Sequence, residues 1–480
     1  MKYFPHKNLN VTLLERLSRV KKIQVIDKAE ISNLEPVQKL QSIYGIDTGY
    51  GPFVTFTKGN SSPRSLIDHL NSGIGVPLSV QETRAAMIAR LRVLTLGYSR
   101  VSIAVLKTLG SLIENDILPV MPSIGSLGAS GDLIPLSRIA AALQGEGDRL
   151  PSGKIKDKLI SNGILPISLT DREALAVSNG VSVSAACAAI AAGRADYLLE
   201  KTELYTGILM ALLGCRRQSL DRRLIGLKNN RGMLKSAENI GQSIFSQKEN
   251  NTRPLQEVYS IRCAPQILGS IREQLDFQKN VINNELNAIS DNPVYVGQQF
   301  LHGGNFHGQN LAFAADVINM ICLQGNLTIE RQITAICNPE VSMAPLLLSN
   351  APGNSAGIAG AELTSTAILA QGRSIAGMHS TFSIPANGLN QDLVPMSLLS
   401  ARKAIEQTEL WSAQLAIYAI SLRQMAMLIE TKKIDFSPVK RSNLLQYLPS
   451  EISELEPVVT DRGTHTDIQE LQTGFLNQKF

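Results

Sequence analysis

Between Gly125 and Asp132 the chain reads Gly-Ser-Leu-Gly-Ala-Ser-Gly-Asp, a run of small residues carrying two hydroxyls and a carboxylate. A phosphate-cradling loop would need a lysine after the last glycine, or a preceding strand with a GxGxxG pattern, and neither is present. A serine nucleophile at Ser130 would want GxSxG around it and a histidine close by, which are also missing. A plain turn ahead of a helix, with Asp132 as its N-cap, needs nothing more than these residues.

Further motifs follow in a fixed order along the chain: Tyr44-Gly-Ile-Asp-Thr-Gly-Tyr-Gly51, Glu173-Ala-Leu-Ala-Val-Ser-Asn-Gly180, Tyr259-Ser-Ile-Arg-Cys-Ala-Pro-Gln266, Ser290-Asp-Asn-Pro293, His302-Gly-Gly-Asn-Phe-His-Gly308 and Asn390-Gln-Asp392. Together with Ala129-Ser130-Gly131, Asp132-Leu133 and Pro135-Leu136, they resemble the histidine and aromatic amino acid ammonia-lyases, over most of the chain. The resemblance implies that Ala129, Ser130 and Gly131 close by themselves into a 4-methylidene-imidazole-5-one ring, with no external cofactor. The Gly131 nitrogen would attack the Ala129 carbonyl, and water would be lost, including the Ser130 hydroxyl. The residue types suit that reaction. Glycine lets its nitrogen approach a carbonyl two residues back, alanine adds little bulk, and serine carries the β-hydroxyl that leaves. A strained turn would press these groups together.

By the same resemblance the chain is a carbon-nitrogen lyase that removes ammonia from an aromatic amino acid. The β-proton is barely acidic and ammonia leaves poorly, so an electrophile and a positioned base are both needed. Tyr44 would be the base, its hydroxyl made more acidic by its surroundings. Arg262 would hold the substrate carboxylate bidentately, as lysine could not. Asn179 and Tyr259 would hydrogen-bond around the ring and the substrate amine, Gln256 and Asn305 would support them, and Phe306 would line the aromatic pocket.

Two positions bear on the substrate. His69-Leu70 occupies the place where relatives acting on tyrosine carry His-Leu and those acting on phenylalanine carry Phe-Leu. An imidazole can satisfy a para-hydroxyl, and such sites discriminate strongly against its absence. Gln391 stands where histidine-specific relatives carry glutamate. Both favour tyrosine, converted to trans-4-coumarate, with phenylalanine, histidine, an aminomutase or an inactive scaffold relative as alternatives. Departures at Asp47 and Arg100, which could change the charge of the pocket, leave room for a rarer substrate. Ala174, Val181 and Pro395 also depart from the family pattern.

The elements that must position these residues read as mainly α: a long central helical bundle with a small mixed N-terminal region carrying the prosthetic-group loop. The expected division is 1–200, holding the tyrosine loop and the Ala-Ser-Gly loop; 201–436, the long helices; and 437–480, short helices or a tail. Up to about residue 60 the pattern suggests small strands and loops. Glu82 to Thr108 and Ser137 to Leu143 look helical. Leu311, Ala315, Ile318, Cys322, Ile329, Ile333 and Ile336 keep helical spacing. No glycine or proline falls between Pro395 and Pro438. Helices apolar on most sides imply neighbours that cover them.

At 480 residues, 44% hydrophobic and 18% charged, the chain can bury a large core. Its net charge of +5 is small, and the cluster from Arg216 to Lys235 reads as a solvated face rather than a nucleic-acid patch. Five cysteines without a CxxC pair read as reduced core thiols, and His302 and His307 lack a helical metal spacing, so no metal is expected. The N-terminus shows no signal-type apolar stretch, and the run Leu204 to Leu213 is too short to span a bilayer. A cytoplasmic enzyme without membrane or nucleic-acid partners is expected. The resemblance implies a homotetramer with shared active sites.

Overall fold

A run from Ser397 to Glu430 without glycine or proline becomes a single helix of 34 residues, about 51 Å long at 1.5 Å per residue. It belongs to the computed structural model of the protein, which describes residues 1–25, 42–59, 62–245, 249–434, 437 and 443–480. Other long helices are Ser182–Leu213, Ala264–Asn287 and Gln309–Cys337. The described strands pair only in twos. The fold is mainly α, a long-helix bundle, as the apolar spacing implies. Gln309–Cys337 is long and apolar enough to cross a membrane by length and composition, but 67% of its most apolar window is buried within the protein.

Chain contacts divide the molecule into two units, each assembled from separated stretches. The first comprises 1–193, 278–316 and 378–405; the second comprises 194–277, 317–377 and 406–480.

In the first unit, Val80–Leu94 begins with a reciprocal capping box between Ser79 and Glu82. The stretch expected to be helical from Glu82 to Thr108 is in fact two helices. The chain leaves the first after Leu94 and re-enters at Ile103–Glu114, because Gly97 and Arg100 take left-handed φ values of 85° and 55° that end an α-helix. The Arg100 guanidinium lies over the Tyr295 ring, 4.4 Å from its centroid. The small strands expected near the N-terminus are present as Lys2–Tyr3 paired in parallel with Gln24–Val25, and between them lies a helix that was not expected, Val11–Arg19, capped by the Asn10 side chain on the Leu13 amide. The part of that expectation on 26–41, 60 and 61 lies outside the described residues.

In the second unit Trp411 is fully buried. A methyl group at Gly325 would meet the Trp411 ring at 2.4 Å, so the absent side chain there is what admits the indole. In the same unit Tyr205 packs edge to face with Tyr418 and Phe475, centroids 5.9 and 6.4 Å away. Cys187, Cys215, Cys322 and Cys337 are buried free thiols and Cys263 is partly buried.

Candidate active site

The Gly125–Asp132 loop is held from several sides. Leu127 and Gly128 accept backbone hydrogen bonds from Met396 (2.8 Å) and Gly308 (2.9 Å), and the Asp132 amide donates to the Gly180 carbonyl at 2.7 Å. Asp132 heads the helix Leu133–Leu143, but its side chain does not cap that helix. Its carboxylate turns inward instead, accepting from Ser126 Oγ (2.7 Å), Ser184 N (2.8 Å) and Ser184 Oγ (2.7 Å). Burial raises the Asp132 carboxyl above its ordinary range, against those hydrogen bonds. The plain-turn reading therefore fails on Asp132, whose anchoring braces the loop.

The Ala-Ser-Gly tripeptide sits at the edge of this brace. Gly131 has φ +74°, and a Cβ there would lie 2.4 Å from both the nitrogen and the oxygen of Gly180. Only glycine fits so close a backbone approach. Ala129 is 4% exposed. Asn179 Nδ2 donates to the Ser130 carbonyl at 2.9 Å, and Gln391 Nε2 donates to Ser130 Oγ at 2.9 Å. Residues of these types, so confined, fit a self-closed five-membered ring.

Ser130 and Gly131 open on a cavity of about 910 Å³ in the first unit. Its wall includes Tyr44, Tyr50, Leu66, His69, Leu70, Asn179, Phe306, Asn390 and Gln391. Mixed apolar and polar walls of this kind suit a small ligand with an aromatic body and polar ends. Tyr44 is carried by a loop closed on itself. Gly49 N donates to Phe56 O (3.0 Å) and Lys58 N to Asp47 O (2.9 Å), while Asp47 accepts from the Ile43 amide at 2.9 Å. The Tyr44 amide donates to His302 Nε2 at 3.1 Å, and the Tyr44 hydroxyl accepts from the Gly51 amide at 2.7 Å. Burial raises the Tyr44 hydroxyl above its ordinary value, outweighing the Gly51 N–H. Within this chain the surroundings thus oppose the lowering expected of a base.

His69 ends the helix Pro63–His69 and places Nδ1 3.1 Å from the Ser65 carbonyl. A carbonyl can only accept, so Nδ1 is the donor of this contact.

The cavity gathers Tyr44, His69, Leu70, Ser130, Gly131, Asn179, Phe306 and Gln391. Asn305, Gln256, Tyr259 and Arg262 are not on its wall. The last three lie in the second unit. There Tyr259 is 69% exposed, and the Arg262 guanidinium stacks over its ring at 4.9 Å. Asp47, Arg100 and Pro395 are also absent from the wall. Tyr50 and Asn390 are on it without having been singled out. For Tyr50 the signal was a second aromatic six residues after Tyr44 in the same glycine-rich motif.

Residues 22–446 match the family model of the aromatic amino acid lyases. A tyrosine 2,3-aminomutase of Chondromyces crocatus is 33% identical over 452 residues, 87% of this chain and 84% of that protein. A tyrosine ammonia-lyase of Cupriavidus metallidurans is 33% identical over 395 residues, 75% and 74% respectively. A histidine ammonia-lyase of Alkaliphilus oremlandii is 31% identical over 407 residues, 82% and 80%. The crystal structure of tyrosine aminomutase from Streptomyces globisporus superposes with a TM-score of 0.88 at 27% identity, covering 100% of this chain and 97% of that one. The fold and the clamped tripeptide thus define an enzyme of the ammonia-lyase class. The chain belongs to the aromatic amino acid lyase family.

Proposed function

We propose that the protein eliminates ammonia from L-tyrosine to give trans-4-coumarate, using a 4-methylidene-imidazole-5-one ring closed from Ala129-Ser130-Gly131. The observation that carries the tyrosine reading is His69. Its Nδ1 donates to the Ser65 carbonyl and the residue lines the cavity, where its Nε2 would accept a phenolic O–H. Phenylalanine offers no donor there, so it forgoes the hydrogen bond that tyrosine would make. Gln391, whose amide is engaged by Ser130 Oγ, supplies no carboxylate to an imidazole substrate.

Residues 129–131, once closed, would supply an electrophile for the substrate amine. Tyr44 accepts the β-proton at its hydroxyl oxygen, with the Gly51 amide hydrogen bond favouring the phenolate. Asn179 holds the Ser130 carbonyl, which ring closure retains, Gln391 holds the Ser130 hydroxyl before it leaves, and Leu66, Leu70 and Phe306 exclude water around the substrate ring. Arg262 holds the substrate carboxylate, with Tyr259, Gln256 and Asn305 around it. Tyr259 is exposed on this chain, and the reading includes a homotetramer in which neighbouring copies complete each site. The enzyme would work in the cytoplasm.

Aminomutase activity on tyrosine is the second reading, favoured by the aminomutases among the similar proteins. Incubation with tyrosine, phenylalanine and histidine, with Ser130→Ala as blank, decides between them. Ultraviolet absorbance of coumarate supports the lyase, β-tyrosine detected by chromatography supports the aminomutase, and urocanate as main product overturns the role given to His69.

A further inference from the structure

Burying a lysine ammonium is costly unless its donors are matched. Lys58, whose side chain is 7% exposed, meets three oxygens, one as an ion pair and two as hydrogen bonds. Asp171 Oδ1 lies at 2.6 Å, the Tyr50 hydroxyl at 3.1 Å and the Gly45 carbonyl at 3.4 Å. The ammonium also stands over the Tyr50 ring, 5.0 Å from its centroid. Two of these partners belong to the loop that carries Tyr44. The third is the first residue of the helix Asp171–Ser178.

That helix is braced at both ends. Thr170 and Glu173 form a reciprocal capping box at its start. Asn179 closes it, and the Asn179 side chain holds the Ser130 carbonyl. The distance along the axis is only about 12 Å, at 1.5 Å per residue. At the other end of the chain of contacts, the Tyr50 ring packs edge-on against Tyr44, centroids 6.3 Å apart, and Gly51, the next residue, donates to the Tyr44 hydroxyl. Gly45 shows how closely the loop seats on this helix. With φ +73°, a Cβ there would lie 2.8 Å from both Leu175 Cδ2 and the Tyr50 ring.

We propose that Lys58 is a positioning residue that clamps the tyrosine loop to the helix Asp171–Ser178, so that the Tyr44 hydroxyl and the Ser130 tripeptide are registered against one rigid element. The clamp acts through Tyr50 and Gly45; Lys58 itself is not on the cavity wall. The inference rests on the reading of Tyr44 as the base, but its main readout does not depend on turnover.

The test compares the purified full chain with Lys58→Met, Lys58→Arg and Tyr50→Phe, by hydrogen exchange and by steady-state kinetics with tyrosine, phenylalanine and histidine. Lys58→Met should speed exchange of the 44–58 amides at least about tenfold, leaving those of 182–193 unchanged. It should lower kcat about 100-fold, the cost of a misplaced reacting group, while KM moves less than about threefold. Lys58→Arg, which can still pair with Asp171, should recover at least about tenfold of the lost kcat. Should Lys58→Met not fold, Tyr50→Phe, which removes one of the three oxygens, should show the same pattern more weakly. Unchanged exchange in 44–58, or faster exchange with unchanged kcat, overturns the clamp. Wild type that turns over none of the three substrates would count against the proposed reaction instead, and the exchange result would still decide the clamp.

Discussion

Gln391 donates its side-chain amide to Ser130 Oγ at 2.9 Å, joining residues 261 positions apart in sequence. A glutamate carboxylate at 391 could not donate that hydrogen bond, and would place a negative charge on the cavity wall. The Ser130 hydroxyl leaves on ring closure, so in the mature enzyme the effect of Gln391→Glu is that of the charge: it should lower kcat/KM for tyrosine by about tenfold or more, because a carboxylate on the wall must be desolvated beside the substrate ring. It should raise the value for histidine, whose imidazolium the carboxylate attracts. Initial rates on both amino acids check this, and a parallel fall for both would remove Gln391 from the selectivity argument.

Ring closure loses two waters, so the mature chain should weigh about 36 Da less than its sequence. Ser130→Ala removes the leaving hydroxyl and should show no full mass loss and no elimination, with an unchanged melting temperature. Gly131→Ala forces a Cβ against the Gly180 backbone at 2.4 Å and should lose both the mass change and stability, by about 1–3 kcal/mol from overpacking. Intact-mass spectrometry and thermal melts separate the two effects. A mass loss retained in Ser130→Ala would place the modification elsewhere.

Replacing His69 with phenylalanine exchanges the Nε2 acceptor for an apolar edge. His69→Phe should reverse the preference between tyrosine and phenylalanine, with a combined shift in the kcat/KM ratio of about 100-fold or more. Competition between the two substrates, read as coumarate against cinnamate, measures it directly. An unchanged ratio would make His69 a wall residue without a role in selectivity.

Stability should fall in alkali. Burial pushes the thiols of Cys187 and Cys215 well above their ordinary value and that of Cys337 up to about 12, and it also raises the hydroxyls of Tyr205 and Tyr418. The folded chain keeps these protons after the unfolded chain has begun to release them. The unfolded state therefore binds fewer protons above about pH 8.5, and the stability gap narrows as pH rises. Below that pH both states are protonated and these groups contribute no slope. Urea midpoints measured from pH 7.5 to 10.5 should be flat at first and then decline; a constant midpoint throughout would contradict the assignment.

Much of this protein is legible in its residues. The long helices follow from apolar spacing uninterrupted by glycine or proline, as in 309–337 and 397–430, because such stretches satisfy their backbones internally and bury most of their surface. The tripeptide stands out only through the family resemblance, since the residues alone also fit a plain turn. Local sequence misjudged what depends on distant partners. Asp132 reads as a helix cap, yet Ser184 and Ser126 draw its carboxylate inward. The helix expected to run from Glu82 to Thr108 breaks where Gly97 and Arg100 turn left-handed. The three-oxygen setting of Lys58 is invisible in sequence, because a lone lysine after a glycine-rich loop carries no sign of what will surround it. Residue types thus determined which chemistry is available and which segments are helical. Only the tertiary structure decided which groups share a cavity, because contacts between residues over a hundred positions apart are set by packing and not by local pattern.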